Sequence, residues 1–108
     1  MTEDTITRGT SNVFADLGMP DADERQTKTR LAMAVNEIIQ DRKLRQADTA
    51  RILGIPQPRV SALVRYRLNE FSVEKLMSFL TSLDHDVEIM IRPRSNDGLG
   101  TVSVLTVR

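Results

Sequence analysis

The stretch Arg45–Arg67 reads RQADTARILGIPQPRVSALVRYR, and it concentrates the side chains able to do recognisable chemistry. Its glutamines, Gln46 and Gln57, offer a donor and an acceptor on one planar group. That pair matches the edge of adenine, while arginine matches guanine or a phosphate. Groups for bond-making chemistry are scarce by comparison. The chain has no cysteine, which removes thiol nucleophiles, thiolate zinc sites and disulfides together. His85 is the single histidine and stands between Asp84 and Asp86. With no second histidine and no thiol beside it, it reads as a loop residue rather than a metal or acid–base site. Ser61 or Ser72 as a nucleophile would need that same histidine as its base. The residues therefore point to no enzyme, no cofactor and no metal.

Charge separates along the chain in the same sense. Fifteen Lys+Arg balance fifteen Asp+Glu, but the balance is not local. Residues 1–41 carry −4, residues 42–67 carry +6 with Asp48 as their one acid, and residues 68–108 carry −2. A concentrated basic block makes a local positive potential that attracts a polyanion even from a neutral molecule. No apolar run is long enough for a membrane span, and the polar start MTEDTITRGTSN is not a signal peptide. A cytoplasmic protein without a membrane partner is expected.

The elements that position these groups follow from periodicity. At 108 residues the chain suits one domain. Residues 1–19 read as a flexible tail, with Val13, Phe14 and Leu17 as its small apolar cluster. A first helix is predicted from Pro20-Asp21 to about Lys43, with Asp21 and Glu24 as a capping pair and Leu31, Val35, Ile38 and Ile39 on its inner stripe. A short second helix runs from about Arg45 to Leu53, with Ala47, Ala50 and Leu53 inward. Gly54 stops it, and Ile55 fills the turn. The third helix begins around Gln57-Pro58, with Gln57 suited to the cap and Val60, Leu63 and Val64 buried. Ser72 caps a fourth helix carrying Val73, Leu76, Met77, Leu80 and Leu83. Met33, Met77 and Phe79 are expected in the core, with Phe71 stapling the last helix to its connector. Residues 86–92 and 101–107 alternate with period two, which predicts a hairpin.

A short helix, a small residue at Ala50, a tight turn at Gly54-Ile55 and a second helix are the parts of a helix–turn–helix. Gln46, Ala50, Gly54, Ile55, Val60 and Ser61 resemble the XRE (lambda-repressor-like) pattern. The longer runs FADLGMPDADERQTKTRLA and GIPQPRVSALVRYRLNEFSVEKLMSFLTSLDHDVEI look like the HigA-like antitoxin branch, so the resemblance covers about residues 13–92. It implies a mainly α bundle of 4–5 helices with a C-terminal β-strand or hairpin. In domain terms this gives a tail over 1–19, a DNA-binding domain over 20–84 and a dimerising segment over 85–108. Tyr66 stands where glycine is expected, so the turn after the third helix should differ in shape. Pro56 replaces a usual Ser or Thr cap, so that helix should start a residue later.

The function implied is a homodimeric repressor bound to double-stranded operator DNA, acting at the nucleoid. It would also be the antitoxin of an RNA-cleaving toxin of the RelE/HigB type. By position, Gln57, Arg59, Ser61 and Ala62 would meet bases, and Arg45, Gln46, Arg65 and Arg67 phosphates. Val87, Ile89 and Ile91 would form the dimer strand, and Val13, Phe14 and Leu17 would contact the toxin. Two rival readings are a stand-alone, phage-type regulator and a protein-interaction module whose basic block is incidental.

Overall fold

The computed structural model describes residues 21–107, and four helices form within them. They are α1 (Asp21–Asp41), α2 (Gln46–Leu53), α3 (Gln57–Val64) and α4 (Val73–Ser82). Helix α1 lies mainly on α4, and α2 packs on α3, with α3 also touching α1. One core joins them. Leu31, Ala32, Val35, Ile38 and Ile39 enter it from α1, Val60 and Leu63 from α3, and Leu76, Phe79 and Leu80 from α4. Phe71 is buried before α4, as the stapling role required, and meets Phe79 edge-to-face at 5.8 Å.

The helix boundaries follow the caps. Ser72 Oγ accepts from the Lys75 amide at 3.0 Å and starts α4 as the sequence indicated. Three helices end on a residue in the left-handed region that is not glycine: Lys43 (φ 54°), Tyr66 (φ 61°) and Asp84 (φ 67°). Each is followed by an amide that closes back over the last turn, as in Leu44 N–H to the Ile39 carbonyl and His85 N–H to that of Leu80. The closing bonds offset the conformational cost of these residues.

Several positions differ from the reading of the sequence. Ala47 is exposed, and the fully buried residue of α2 is Thr49. A threonine can take that place because its Oγ1 donates to the Arg45 carbonyl at 3.0 Å and leaves no hydroxyl unpaired. Met33 is 54% exposed, on the side of α1 opposite Leu31 and Val35. Among the described residues no strand forms, so the hairpin over 86–92 and 101–107 is absent from the single chain. Two isolated strands cannot hold together without an apolar face to cover. Here only Val87 and Val104 reach the core, while Ile89 and Ile91 are 62% and 82% exposed. The tail residues Val13, Phe14 and Leu17 lie outside the described residues.

Candidate nucleic-acid interface

The turn between α2 and α3 is built as its residues require. Gly54 sits at φ 70°, a conformation that costs other residues energy, and its amide donates to the Ala50 carbonyl at 2.8 Å. Ile55 donates to the same carbonyl at 3.1 Å and buries its side chain against both helices' core. The cap of α3 is Pro56 (φ −63°, ψ 149°), one residue before the expected Gln57. Its carbonyl accepts from the Arg59 amide at 2.9 Å and the Val60 amide at 3.3 Å. The helix therefore starts without delay at Gln57. A proline needs only its fixed φ and a free carbonyl to serve there, and Pro58 in the first turn removes one unpaired N–H.

Helix α3 divides cleanly into two sides. Val60 and Leu63 are fully buried, whereas Gln57, Pro58 and Arg65 are exposed and Ser61 and Ala62 half-buried. Val64 is 39% exposed and belongs to the outer boundary, not to the core where the sequence placed it. Four residues after Val60, it has drifted past the edge of a stripe only two residues wide. The candidates Gln57, Ser61 and Arg65 thus fall on one outer surface, and Ala62, half-buried against the core, lies at its edge.

Arg59 is turned away from that surface. Its Nη2 donates to the Glu70 carbonyl at 3.2 Å, and its guanidinium carbon lies 4.5 Å from the Phe71 ring centroid. The arginine is half-buried, one turn before Leu63 and on the same side of the helix.

At the far end of α3, Tyr66 adopts the left-handed conformation that glycine would take. Its amide donates to the Leu63 carbonyl at 3.1 Å, and the Arg67 amide reaches that of Ala62 at 2.9 Å. The turn keeps its ordinary form, against expectation, and the strain falls on Tyr66 instead. The side chain stays 45% exposed between Arg65 and Arg67, both exposed.

Around the helix pair, the basic block is partly engaged in structure. Arg45 caps α2, and Gln46 is its exposed first residue. Asp48 turns back to accept from the Arg45 amide and Nε, each at 3.4 Å, and from Arg51 Nη2 at 3.5 Å. The Arg45 amide is the main reason its carboxyl is held below the ordinary value; the two guanidinium groups add to that. Arg42 is committed elsewhere. Its Nη2 donates to the Leu83 carbonyl at 2.6 Å, and its Nη1 lies 3.8 Å from Asp84, so it closes the end of α4. His85 Nδ1 also lies 2.9 Å from the Leu83 carbonyl, and no cluster of three metal-ligating side chains occurs among the described residues.

Sequence reasoning missed Asn36, which is buried on α1 and donates from Nδ2 to the Leu63 carbonyl at 3.2 Å. The signal was present. Asn36 is a polar residue between Ala32 and Ile39 at helical spacing, on the inner side of α1.

A short helix, a glycine turn and an outward-facing second helix flanked by arginines define a helix–turn–helix DNA-binding domain. The comparisons agree. A helix-turn-helix domain family matches residues 13–92. A solved structure described as an XRE family transcriptional regulator is 52% identical, covering 82% of this chain and 100% of its own, with a TM-score of 0.78. No curated protein shows a significant match. The chain belongs to the helix-turn-helix family of XRE-type transcriptional regulators. No helix among the described residues is long and apolar enough to cross a membrane.

Proposed function

We propose that the chain is a sequence-specific repressor that binds its own operator as a homodimer and is the antitoxin of an operon-encoded, RNA-cleaving toxin. The observation that carries the DNA reading is the outer surface of α3, where Gln57 and Ser61 stand together with Ala62 at the edge, while Val60 and Leu63 anchor the helix. Gln57 would read a base edge, and Ser61 and Ala62 would follow the groove. Arg45, Gln46, Arg65 and Arg67 would hold phosphates on either side. The +6 excess of residues 42–67 in an otherwise acidic chain supports the same face.

For the dimer, the support is the row Val87, Ile89, Ile91. Its alternation fits a strand, and its two outer members lie exposed with no neighbour to pair with in the single chain. A second copy of residues 86–92 would supply that neighbour. Two recognition helices would then address half-sites about one DNA turn (~34 Å) apart. The antitoxin reading rests on the resemblance over residues 13–92, with Val13, Phe14 and Leu17 meeting the toxin.

A mobility shift on the chain's own promoter DNA tests the first part, with retardation expected. Co-expression with the product of the neighbouring reading frame tests the second, with co-purification expected. DNA binding without co-purification would make the protein a stand-alone regulator; no DNA binding would overturn the repressor reading.

A further inference from the structure

Arg59 is the only charged residue within α3, yet it does not occupy the helix's outer surface. Its guanidinium lies over Phe71 and ties Nη2 to the Glu70 carbonyl, while Nε is buried without an acceptor. A buried donor left unpaired is costly, so this arrangement persists because the rest of the contact repays it. Phe71 is a firm platform, 1% exposed and braced by Phe79. The arginine therefore bridges α3 to the connector that leads into α4.

We infer that Arg59 is a positioning residue, which sets the roll of α3 on the body of the domain so that Gln57 and Ser61 face the groove. It does this in place of reading a base. The inference rests on the DNA-binding reading above. To reach a base edge, Arg59 would have to leave the Phe71 ring and the Glu70 carbonyl. Helical spacing also places it on the side of Leu63, away from Pro58 and Arg65. Val60 and Leu63 hold α3 down, and Asn36 ties its last turn through the Leu63 carbonyl. Arg59 adds a contact one turn earlier, to the connector before α4, and so restrains the roll of the helix at its first turn.

The test compares Arg59→Met and Phe71→Leu with the unmodified protein. Arg59→Met keeps the apolar stem and removes the charge, while Phe71→Leu keeps an apolar side chain and removes the ring, together with its contact to Phe79. Affinity for the promoter fragment should fall roughly 5- to 30-fold in each variant, as for loss of one desolvated cation–aromatic contact. The double variant should be little worse than either single one. The slope of log affinity against log salt should stay unchanged, and discrimination should weaken at several base pairs together. Loss of preference at a single base pair would make Arg59 a base reader, and a slope lower by about one would make it a phosphate contact; either overturns the inference. Additive single effects would overturn it as well. An independent arm needs no DNA. In the free protein, Arg59→Met should shift the amide resonances of Glu70 and Phe71, across the bridge, as well as that of Gln57, and unmoved resonances at Glu70 and Phe71 would overturn the inference even if binding fell. If the unmodified protein binds no DNA while these resonances do shift, the DNA reading fails and the bridging role of Arg59 stands.

Discussion

Asn36 of α1 donates a hydrogen bond to the main-chain oxygen of Leu63, 27 residues away in sequence and at the end of α3. The same oxygen accepts from the Tyr66 amide. One side chain on the longest helix thus holds the end of the helix proposed to read DNA. Its Oδ1 is buried without a partner, so the contribution of Asn36 rests on the bond its Nδ2 makes. Asn36→Ala should lower the free energy of unfolding by about 1–3 kcal/mol in urea titrations. It should also weaken promoter binding. Unchanged stability would show that the bond contributes nothing net.

Tyr66 and Gly54 make an opposed pair of tests. Both sit near φ +60 to +70°, and a Cβ at Gly54 would meet nothing within 4 Å. Gly54→Ala should therefore cost only the conformational term, about 1–2 kcal/mol. Tyr66→Gly should relieve that term and lose chain stiffness in return, giving a gain of no more than about 1 kcal/mol. Thermal unfolding of the two variants checks both signs.

The extent to which this was legible in the sequence depended on locality. Helices with several apolar contacts, such as Leu31–Ile39 and Leu76–Leu83, announced themselves through periodicity, as did the glycine turn. Short helices did not resolve side from side. With only eight residues each, α2 and α3 let Ala47 and Val64 pass as core, while Thr49 was overlooked because its hydroxyl is satisfied internally. The outer surface of α3 was legible at Gln57, Ser61 and Ala62. The placement of Arg59 was not, because it depends on a ring twelve residues further on that only folding brings near.

Asp48 gives a pH test with a defined direction. Its carboxyl is held below the ordinary value in the folded state, chiefly by the Arg45 amide. The stabilisation is therefore present above the unfolded value and is lost as pH falls through the lowered folded one. Asp48→Asn removes the charge at every pH. The stability difference between the two proteins should hold from neutral pH down to about pH 4 and shrink below it. A difference that stays constant to the lowest pH would disprove the linkage.

On DNA, Gln57→Ala should cost about 1–3 kcal/mol and relax preference at one base pair. Arg65→Ala should weaken all sequences about equally and reduce the salt slope by roughly one. An unchanged slope would take Arg65 off the phosphate surface.

For the proposed dimer, Ile89→Ser with Ile91→Ser should yield a monomer by sedimentation, with helix content unchanged. Both side chains are exposed in the single chain, so the folded body has nothing to lose from the change. A dimer that survives the double substitution would place the interface elsewhere.

The bridge from Arg42 to the Leu83 carbonyl at 2.6 Å fixes where the C-terminal segment leaves the body. That departure point is set from the residue just after α1, and Asn36 of α1 also holds α3. In a dimer joined through residues 86–92, the segment would then serve as a ruler whose origin is anchored to the reading head. Adding residues between His85 and Val87 would lengthen the ruler at the expense of the contact Val87 makes with the core, while leaving the Arg42 bridge and the Asn36 bond in place. Operator spacing could in this way be retuned by insertion, leaving the bases recognised in each half-site as they were.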